Sequence, residues 1–182
     1  MKKLIKIIGI FIGIIIVLAI VSGGSKIMGG DKKKTSEELN APEPKKGWSY
    51  RESTDKMDGS KEYFAFITST NKVQFKFPYD VKGGSSFDLT VRNMKNKNAV
   101  LLSAQKGQFN GEKCRVKFDD TIVNYGFSGT SDHSSGIIFF DNPKKFIGSL
   151  KTAKKLIIEC EFFQEGSRII EFDDVQGLEW NR

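Results

Sequence analysis

Residues 156–163 read LIIECEFF, and apolar side chains alternate along this stretch. Successive side chains of a β-strand point to opposite faces, so such a pattern gives a strand one apolar face. The residues that share this face are Leu156, Ile158, Cys160 and Phe162. The stretch 73–77, VQFKF, alternates in the same way. Both stretches therefore predict strands with one buried side.

Ten short segments of this kind follow one another from residue 48 onward. In order they read WSYRES, EYFAFITS, VQFKFP, FDLTVRN, AVLLSA, CRVKFDD, TIVNYGF, GIIFF, KLIIECEFF and RIIEFDDV. Turn-forming pairs separate them, among them Asp58-Gly59, Gly83-Gly84 and Asn110-Gly111. The 15 phenylalanines fit this pattern because aromatic rings pack well on pleated faces. The sequence predicts a mainly β fold, an antiparallel β-sandwich or barrel-like domain.

The two cysteines both lie in such segments. In CRVKFD, Cys114 alternates with Val116 and Phe118, so its thiol points toward the core as that of Cys160 does. In an oxidising compartment an even pair predicts one disulfide, Cys114–Cys160. The alternative is a pair of inert buried thiols. Two cysteines and one histidine are too few for a structural zinc site.

One segment, NPKKFIGSLKTAKKL from residue 142, has the period of a helix instead. Asn142 is a candidate N-cap, and Pro143 suits the first helical position. Its apolar stripe consists of Phe146, Ile147, Leu150 and Ala153. We expect one short amphipathic helix that closes an end of the β domain. The alternative is an anion-binding surface formed by its lysines.

The first 24 residues predict a transmembrane signal-anchor. Residues 7–21 contain no charge, and with their flanks they approach the roughly 20 residues that cross a bilayer. Three lysines precede this run, and Val21-Ser22-Gly23 is a weak cleavage site. A cleaved signal peptide and a buried helix are the alternatives. No cysteine lies directly after the apolar run, so a lipid-anchored lipoprotein is excluded.

The predicted orientation places the N-terminus inside and the domain outside the cytoplasmic membrane. The lysines on the two sides of the apolar run are nearly balanced, but long C-terminal domains translocate largely regardless of charge. Residues 25–47 are poor in large apolar side chains and predict a disordered linker. The β-rich extracytoplasmic domain then spans residues 48–182.

Most of the net charge of +7 lies before this domain. Residues 1–47 hold nine lysines and four acidic residues, which leaves the domain a surplus of only two. Such a distribution is better explained by anionic lipid headgroups than by nucleic acid. We therefore expect the membrane as a partner, and no nucleic acid.

Few residues in the domain are candidates for chemistry. His133 is the only histidine, and Ser131 and Asp132 precede it in the polar loop SGTSDHSSG. Catalytic partners come from different segments, so adjacency does not indicate a triad. We interpret Ser131, Asp132 and His133 as a contact loop, since binding residues concentrate on loops.

The paired carboxylates have a structural interpretation. Asp119-Asp120 and Asp173-Asp174 each follow a phenylalanine at a predicted strand end, where aspartates form turns. The sequence lacks phosphate-loop, dinucleotide, EF-hand and His-Glu-x-x-His motifs. We therefore predict no enzyme, no catalytic residues, no cofactor and no metal site.

The final stretch, FDDVQGLEW, predicts a core element. We expect Phe172, Leu178 and Trp180 to be buried on a last strand that Gly177 interrupts.

Several segments together resemble a known family. They are GWSYRESTDKMDG, FAFITSTN, FPYDVKGG, LTVRN, CRVKFDD, FIGSLKTAKKLIIECEFF and IIEFDDVQGLEW, spread over residues 48–180. Their order resembles the C-terminal region of the type VI secretion-associated VasI family and kindred secreted or phage-borne domains. This resemblance implies a periplasmic, β-sandwich-like accessory domain without known catalysis. The anchor and the linker depart from the family pattern.

The function expected from these features is non-catalytic. We expect a single-pass protein of the bacterial cytoplasmic (inner) membrane that holds a binding or accessory domain in the envelope, where a protein is its partner. The first alternative is a small enzyme acting on envelope polymers. The second is a phage-encoded anchored protein whose domain faces the cytoplasm.

Overall fold

A computed structural model describes residues 47–129 and 135–182. The predicted anchor, nearly all of the linker and the predicted contact loop Ser131, Asp132 and His133 lie outside the described residues. Within those two ranges, no helix is long and apolar enough to cross a membrane.

The described chain is mainly β, with one short helix, as predicted. The strands are β1 (Ser49–Thr54), β2 (Lys61–Thr68), β3 (Phe87–Met94), β4 (Lys97–Ala104), β5 (Phe109–Phe118), β6 (Thr121–Gly129), β7 (Ile137–Phe140), β8 (Lys155–Phe162) and β9 (Gly166–Asp173). They form one nine-stranded sheet in the order β1-β2-β3-β4-β7-β6-β5-β8-β9. All neighbouring strands are antiparallel.

The sheet has two parts, one formed by β1–β4 and β7 and the other by β5, β8 and β9. Strand β6 joins these two parts. Its first residues pair with β5, whereas Phe127, Ser128 and Gly129 pair with β7. Strands from the two parts meet through the core, since the rings of Phe87 in β3 and Phe162 in β8 lie 5.7 Å apart. The chain after β2 also reaches the far edge of the sheet.

Residues 70 and 71, which follow β2, cover the exposed edge of β9. The amide of Thr70 donates to the carbonyl of Glu171 (2.7 Å). The side-chain amide of Asn71 donates to the carbonyl of Ile169, and its oxygen accepts from the amide of Glu171. The backbone groups of Ile169 and Glu171 at the β9 edge are thus satisfied by residues that closely follow β2.

Two aromatic clusters fill the core. The first contains Phe75, Phe87, Phe109 and Phe162. The second contains Phe118, Tyr125, Phe140 and Phe146. Phe146 belongs to helix α1 (Pro143–Leu150), so the helix packs its apolar stripe onto the second cluster. Burial of the Tyr125 hydroxyl raises its pKa, and the neighbouring Ser149 partly offsets this effect.

The disulfide Cys114–Cys160 is present, with the Cα atoms 4.6 Å apart and both residues buried. It lies at an irregularity in the pairing of β5 with β8. Asn110 pairs with Glu161 and Arg115 with Glu159, so residues 111–114 of β5 lie opposite Cys160 alone. The disulfide therefore fixes the register beside the bulge.

Four expectations need correction. The stretch VQFKFP is not a strand, because only Val73 pairs, in an isolated bridge with Ser85. Val73 and Phe75 are buried as predicted, but Phe77, which the alternation places on the same face, is 87% exposed. The helix is shorter than its pattern, because β8 begins at Lys155. Asn142 precedes α1 in a left-handed conformation (φ 54°), but its side chain makes no capping bond.

The C-terminal tail, residues 174–182, is the fourth correction. Phe172, Leu178 and Trp180 are buried as predicted. However, β9 ends at Asp173, and a single 3-10 turn, Val175–Gly177, follows instead of a resumed strand. The amide of Val175 donates to the carbonyl of Lys154, and side chains from other strands bind the rest of this tail.

Those side chains come from the N-terminal strands and β4. The Tyr50 hydroxyl donates to the carbonyl of Gly177 and accepts from the amide of Glu179. The Trp180 indole donates to Asn98 Oδ1, and the Asn98 amide donates to the carbonyl of Arg182. The tail thus closes the inner side of β1–β4.

Candidate binding surface

The paired aspartates stand at turns, as predicted. Asp119 has φ 48°, and its carboxylate accepts hydrogen bonds from the backbone amides of Lys154 and Lys155. Asp174 has φ 57° and precedes the 3-10 turn. The carboxylate of Asp119 therefore joins the β5–β6 hairpin to the start of β8, which is a structural role.

The described residues hold no group of three or more His, Cys, Asp or Glu side chains placed to bind a metal ion. The flanks of the predicted contact loop are described: the amide of Phe109 donates to the carbonyl of Ser135, and that of Ala104 to the carbonyl of Gly136. Ser131, Asp132 and His133 themselves lie outside the description.

A different surface emerges from the strands. In β2, Ala65 and Ile67 are buried, so Phe64 and Phe66 lie on the opposite, outer face of the sheet. The same alternation places Leu101 of β4 and Phe139 of β7 on that face. An antiparallel sheet with one solvated side normally alternates polar residues there.

The register brings these side chains side by side. Phe66 pairs with Thr90, Thr90 with Leu101, and Leu101 with Phe139. They form one row across four adjacent strands, in which Phe66 is 37% exposed. Directly opposite side chains of paired strands lie about 4.5–5.5 Å apart at Cβ, so the row is continuous.

Two arginines lie over this apolar row and its neighbours. The Arg51 guanidinium is 4.8 Å from the ring centroid of Phe64, and that of Arg92 is 4.9 Å from the ring centroid of Phe139. Such stacking holds a cation over an aromatic face. We call the set Arg51, Phe64, Phe66, Arg92, Leu101 and Phe139 the outer face.

The charges of the outer face are unbalanced at its centre. Neither arginine forms an ion pair with any carboxylate of the described chain. The carboxylates at its margins are engaged by hydroxyl groups: Ser53 donates to Glu62, and Thr68 donates to Asp88. The surface therefore combines aromatic area with two available guanidinium groups.

Sequence reasoning missed the outer face because it followed only the inward-facing alternation. The signal was present in EYFAFITS, where Phe64 and Phe66 alternate with the equally apolar Ala65 and Ile67. A strand that is apolar on both faces indicates that both faces are covered. That residues from four strands form one row could be seen only from the pairing register of β2, β3, β4 and β7.

The fold and the surface define a class, a mainly β domain with one antiparallel sheet, and no more specific identity. No family model, no curated protein and no solved structure matches the chain significantly.

Proposed function

We propose that this chain is a single-pass membrane-anchored, non-catalytic binding or accessory protein of the bacterial envelope. Residues 1–24 are the anchor in the cytoplasmic membrane, residues 25–47 the linker, and residues 48–182 an extracytoplasmic domain. We infer a sandwich-like or barrel-like body, because Phe87 and Phe162 connect the two parts of the sheet. The partner is a second envelope protein, and the resemblance to the secretion-associated VasI family favours an accessory role.

The observation that most supports a binding role is the outer face. Protein interfaces are enriched in aromatic residues and arginine and depleted of other charged residues at their centre. The outer face has this composition, with Phe64, Phe66 and Phe139 beside Arg51 and Arg92. A partner that presents carboxylates around an apolar centre complements it.

The disulfide supports the extracytoplasmic location. Disulfides persist in oxidising compartments and are rare in the cytosol. The Cys114–Cys160 bridge is buried, and closing a loop of 46 residues contributes roughly 4 kcal/mol in the chain-entropy model.

The alternatives make different predictions. An envelope-polymer enzyme requires converging acid and base groups, whereas Asp119 is engaged in holding β8. A phage-encoded domain facing the cytoplasm would keep Cys114 and Cys160 reduced in native membranes. A mature N-terminus near Gly24 would indicate a cleaved signal peptide instead of an anchor.

Site-specific photo-crosslinking tests the proposed function. A photoreactive phenylalanine derivative replaces Phe66 on the outer face or, as a control, Ile122, which is 58% exposed on β6. We expect a discrete cross-link to one envelope protein from position 66 and none from position 122. Arg92→Glu should abolish it, whereas Lys113→Glu, at an exposed position of β5, should not.

Equal cross-linking from both positions would contradict a role for the outer face. So would a cross-link that persists in the Arg92→Glu variant. Thermal unfolding of each variant ensures that a lost cross-link reflects the surface and not the fold.

A further inference from the structure

One end of the domain gathers the loop after β2, the β4–β5 connection and the β8–β9 turn. The amide of Lys76 donates to Glu165 Oε1 (2.7 Å), and the amide of Phe163 donates to the carbonyl of Gln108 (2.9 Å). Ser85 Oγ accepts from the amide of Lys106 and donates to its carbonyl. We call residues 72–84, 105–108 and 163–165 the loop end.

Phe77 projects from the loop end with 87% of its surface exposed. Its neighbours are fixed, because Val73 exchanges two backbone hydrogen bonds with Ser85 and Phe75 packs 5.0 Å from Phe162. On its other side, the amide of Tyr79 donates to the carbonyl of Lys76. The exposed ring is thus presented by an ordered segment, and Phe163 of the same end is 46% exposed.

The charge at the loop end is mainly positive. The exposed lysines here are Lys72, Lys76, Lys82 and Lys106. None of them forms an ion pair with a carboxylate of the described residues. The carboxylates present are the exposed Asp80 and the buried Glu165, and the latter is held by Arg168 and by the amide of Lys76.

We propose that the loop end binds an anionic phospholipid surface, with Phe77 inserted among the headgroups and acyl chains. An exposed aromatic ring surrounded by lysines is typical of interfacial membrane contacts. Lysine is depleted from protein interfaces, which separates the loop end from the arginine-containing outer face. The lysines supply attraction to the surface, and Phe77 supplies the apolar contact.

This inference goes beyond the proposed function, since an anchor alone leaves the orientation of the domain free. Docking of the loop end would set that orientation. Strand β2 runs from the β1–β2 turn to the loop end, so this turn, with Met57, lies at the other end of β2, roughly 25 Å distant. Met57 is 93% exposed and provides a matched control position.

The test uses the full chain with vesicles that contain brominated lipids, which quench tryptophan fluorescence at short range. Phe77→Trp is compared with Met57→Trp, and the signal of the unsubstituted protein, which contains Trp48 and Trp180, is subtracted. In vesicles with about one third phosphatidylglycerol we expect a blue shift and at least twofold quenching of Phe77→Trp. Met57→Trp should keep the emission of a tryptophan in water.

Charge variants complete the test. Lys76→Glu together with Lys82→Glu should reduce the quenching of Phe77→Trp severalfold, as should pure phosphatidylcholine or high salt. The control pair Lys113→Glu with Lys151→Glu, at exposed positions outside the loop end, should have little effect. Equal quenching at positions 77 and 57, or quenching that does not depend on anionic lipid, would overturn the proposal.

Failure of the anchor would give a different result. Resistance to alkaline carbonate extraction reports on residues 1–24 alone, whereas the difference between positions 77 and 57 reports on the loop end. A chain that is extracted by carbonate but still shows lipid-dependent quenching at position 77 would overturn the anchor and support the loop end.

Discussion

At the scale of single residues, burial was easier to predict than backbone conformation. The sequence predicted that Leu178 and Trp180 are buried, because they resume the apolar alternation of the last segment, and both are buried. It did not predict the 3-10 turn between β9 and Trp180. The groups that fix the tail, Tyr50 and Asn98, are remote in sequence, so no local pattern reveals them.

Trp180 provides the first prediction. It is 3% exposed, and its indole N–H donates to Asn98. Trp180→Ala should lower the free energy of unfolding by roughly 3–5 kcal/mol, because it leaves a large cavity. Trp180→Phe keeps most of the apolar contact and should cost about 1–3 kcal/mol through the lost hydrogen bond and volume. Urea unfolding measures both, and equal costs would contradict the packing role.

Asp119 and Asp120 provide a matched pair. The Asp119 carboxylate accepts hydrogen bonds from two backbone amides. Asp120, by contrast, is exposed, and its nearest cation, the Lys117 ammonium, lies 4.0 Å away. Asp119→Ala should cost about 1–3 kcal/mol, because two amides lose a charged acceptor. Asp120→Ala should change the stability by less than about 0.5 kcal/mol. Thermal unfolding of both variants checks this, and similar values would show that Asp119 does not hold the start of β8.

At the scale of elements, the regular strands were predicted well, whereas the VQFKFP loop and the end of helix α1 were not. The stretch VQFKFP alternates like a strand, yet only Val73 forms a β-bridge, since the chain here belongs to the loop end. Helix α1 ends early because residues 155–162 pair with both β5 and β9. In both cases tertiary contacts outweigh the local pattern.

Two hairpin turns meet through an ion pair with a defined pH dependence. The Lys95 ammonium lies 2.8 Å from Asp58 and, by hydrogen bonding, holds the pKa of this carboxyl well below its ordinary 3.8. A lowered folded-state pKa contributes stability above the ordinary value and loses it as the pH falls. Asp58→Asn should therefore lower the melting temperature at pH 7, and the difference should shrink between about pH 5 and pH 2.

The control for this pair is Asp80→Asn, since Asp80 forms no ion pair within the described chain. The effect of Asp58→Asn should also diminish in about 1 M salt, because both partners are exposed. A difference that stays constant from neutral to acid pH would show that the charge of Asp58 does not stabilise the turns.

The disulfide links two neighbouring strands, β5 and β8. Replacing Cys114 and Cys160 together by alanine should lower the free energy of unfolding by several kcal/mol, up to about 4 from the chain entropy alone. Urea unfolding of the oxidised protein and the double variant measures the difference. A loss below about 1 kcal/mol would contradict a stabilising role for the bridge.

At the scale of the whole molecule, the sequence predicted the β class and the disulfide, but not the sheet order. A nine-stranded order depends on pairings between distant segments, such as β4 with β7 and β5 with β8. The outer face and the loop end both arise from that order, because each combines residues from separate strands or loops. Periodicity along one segment cannot reveal either surface.

The central claim is that the β domain, with its two proposed contact surfaces, lies outside the cytoplasmic membrane on an uncleaved anchor. Protease accessibility in spheroplasts tests this most directly, using the full chain with a C-terminal epitope. Externally added protease should shorten the full-length chain by cutting within residues 25–47, while a cytoplasmic control protein stays intact. A full-length chain that remains protected until detergent opens the membrane would contradict the account.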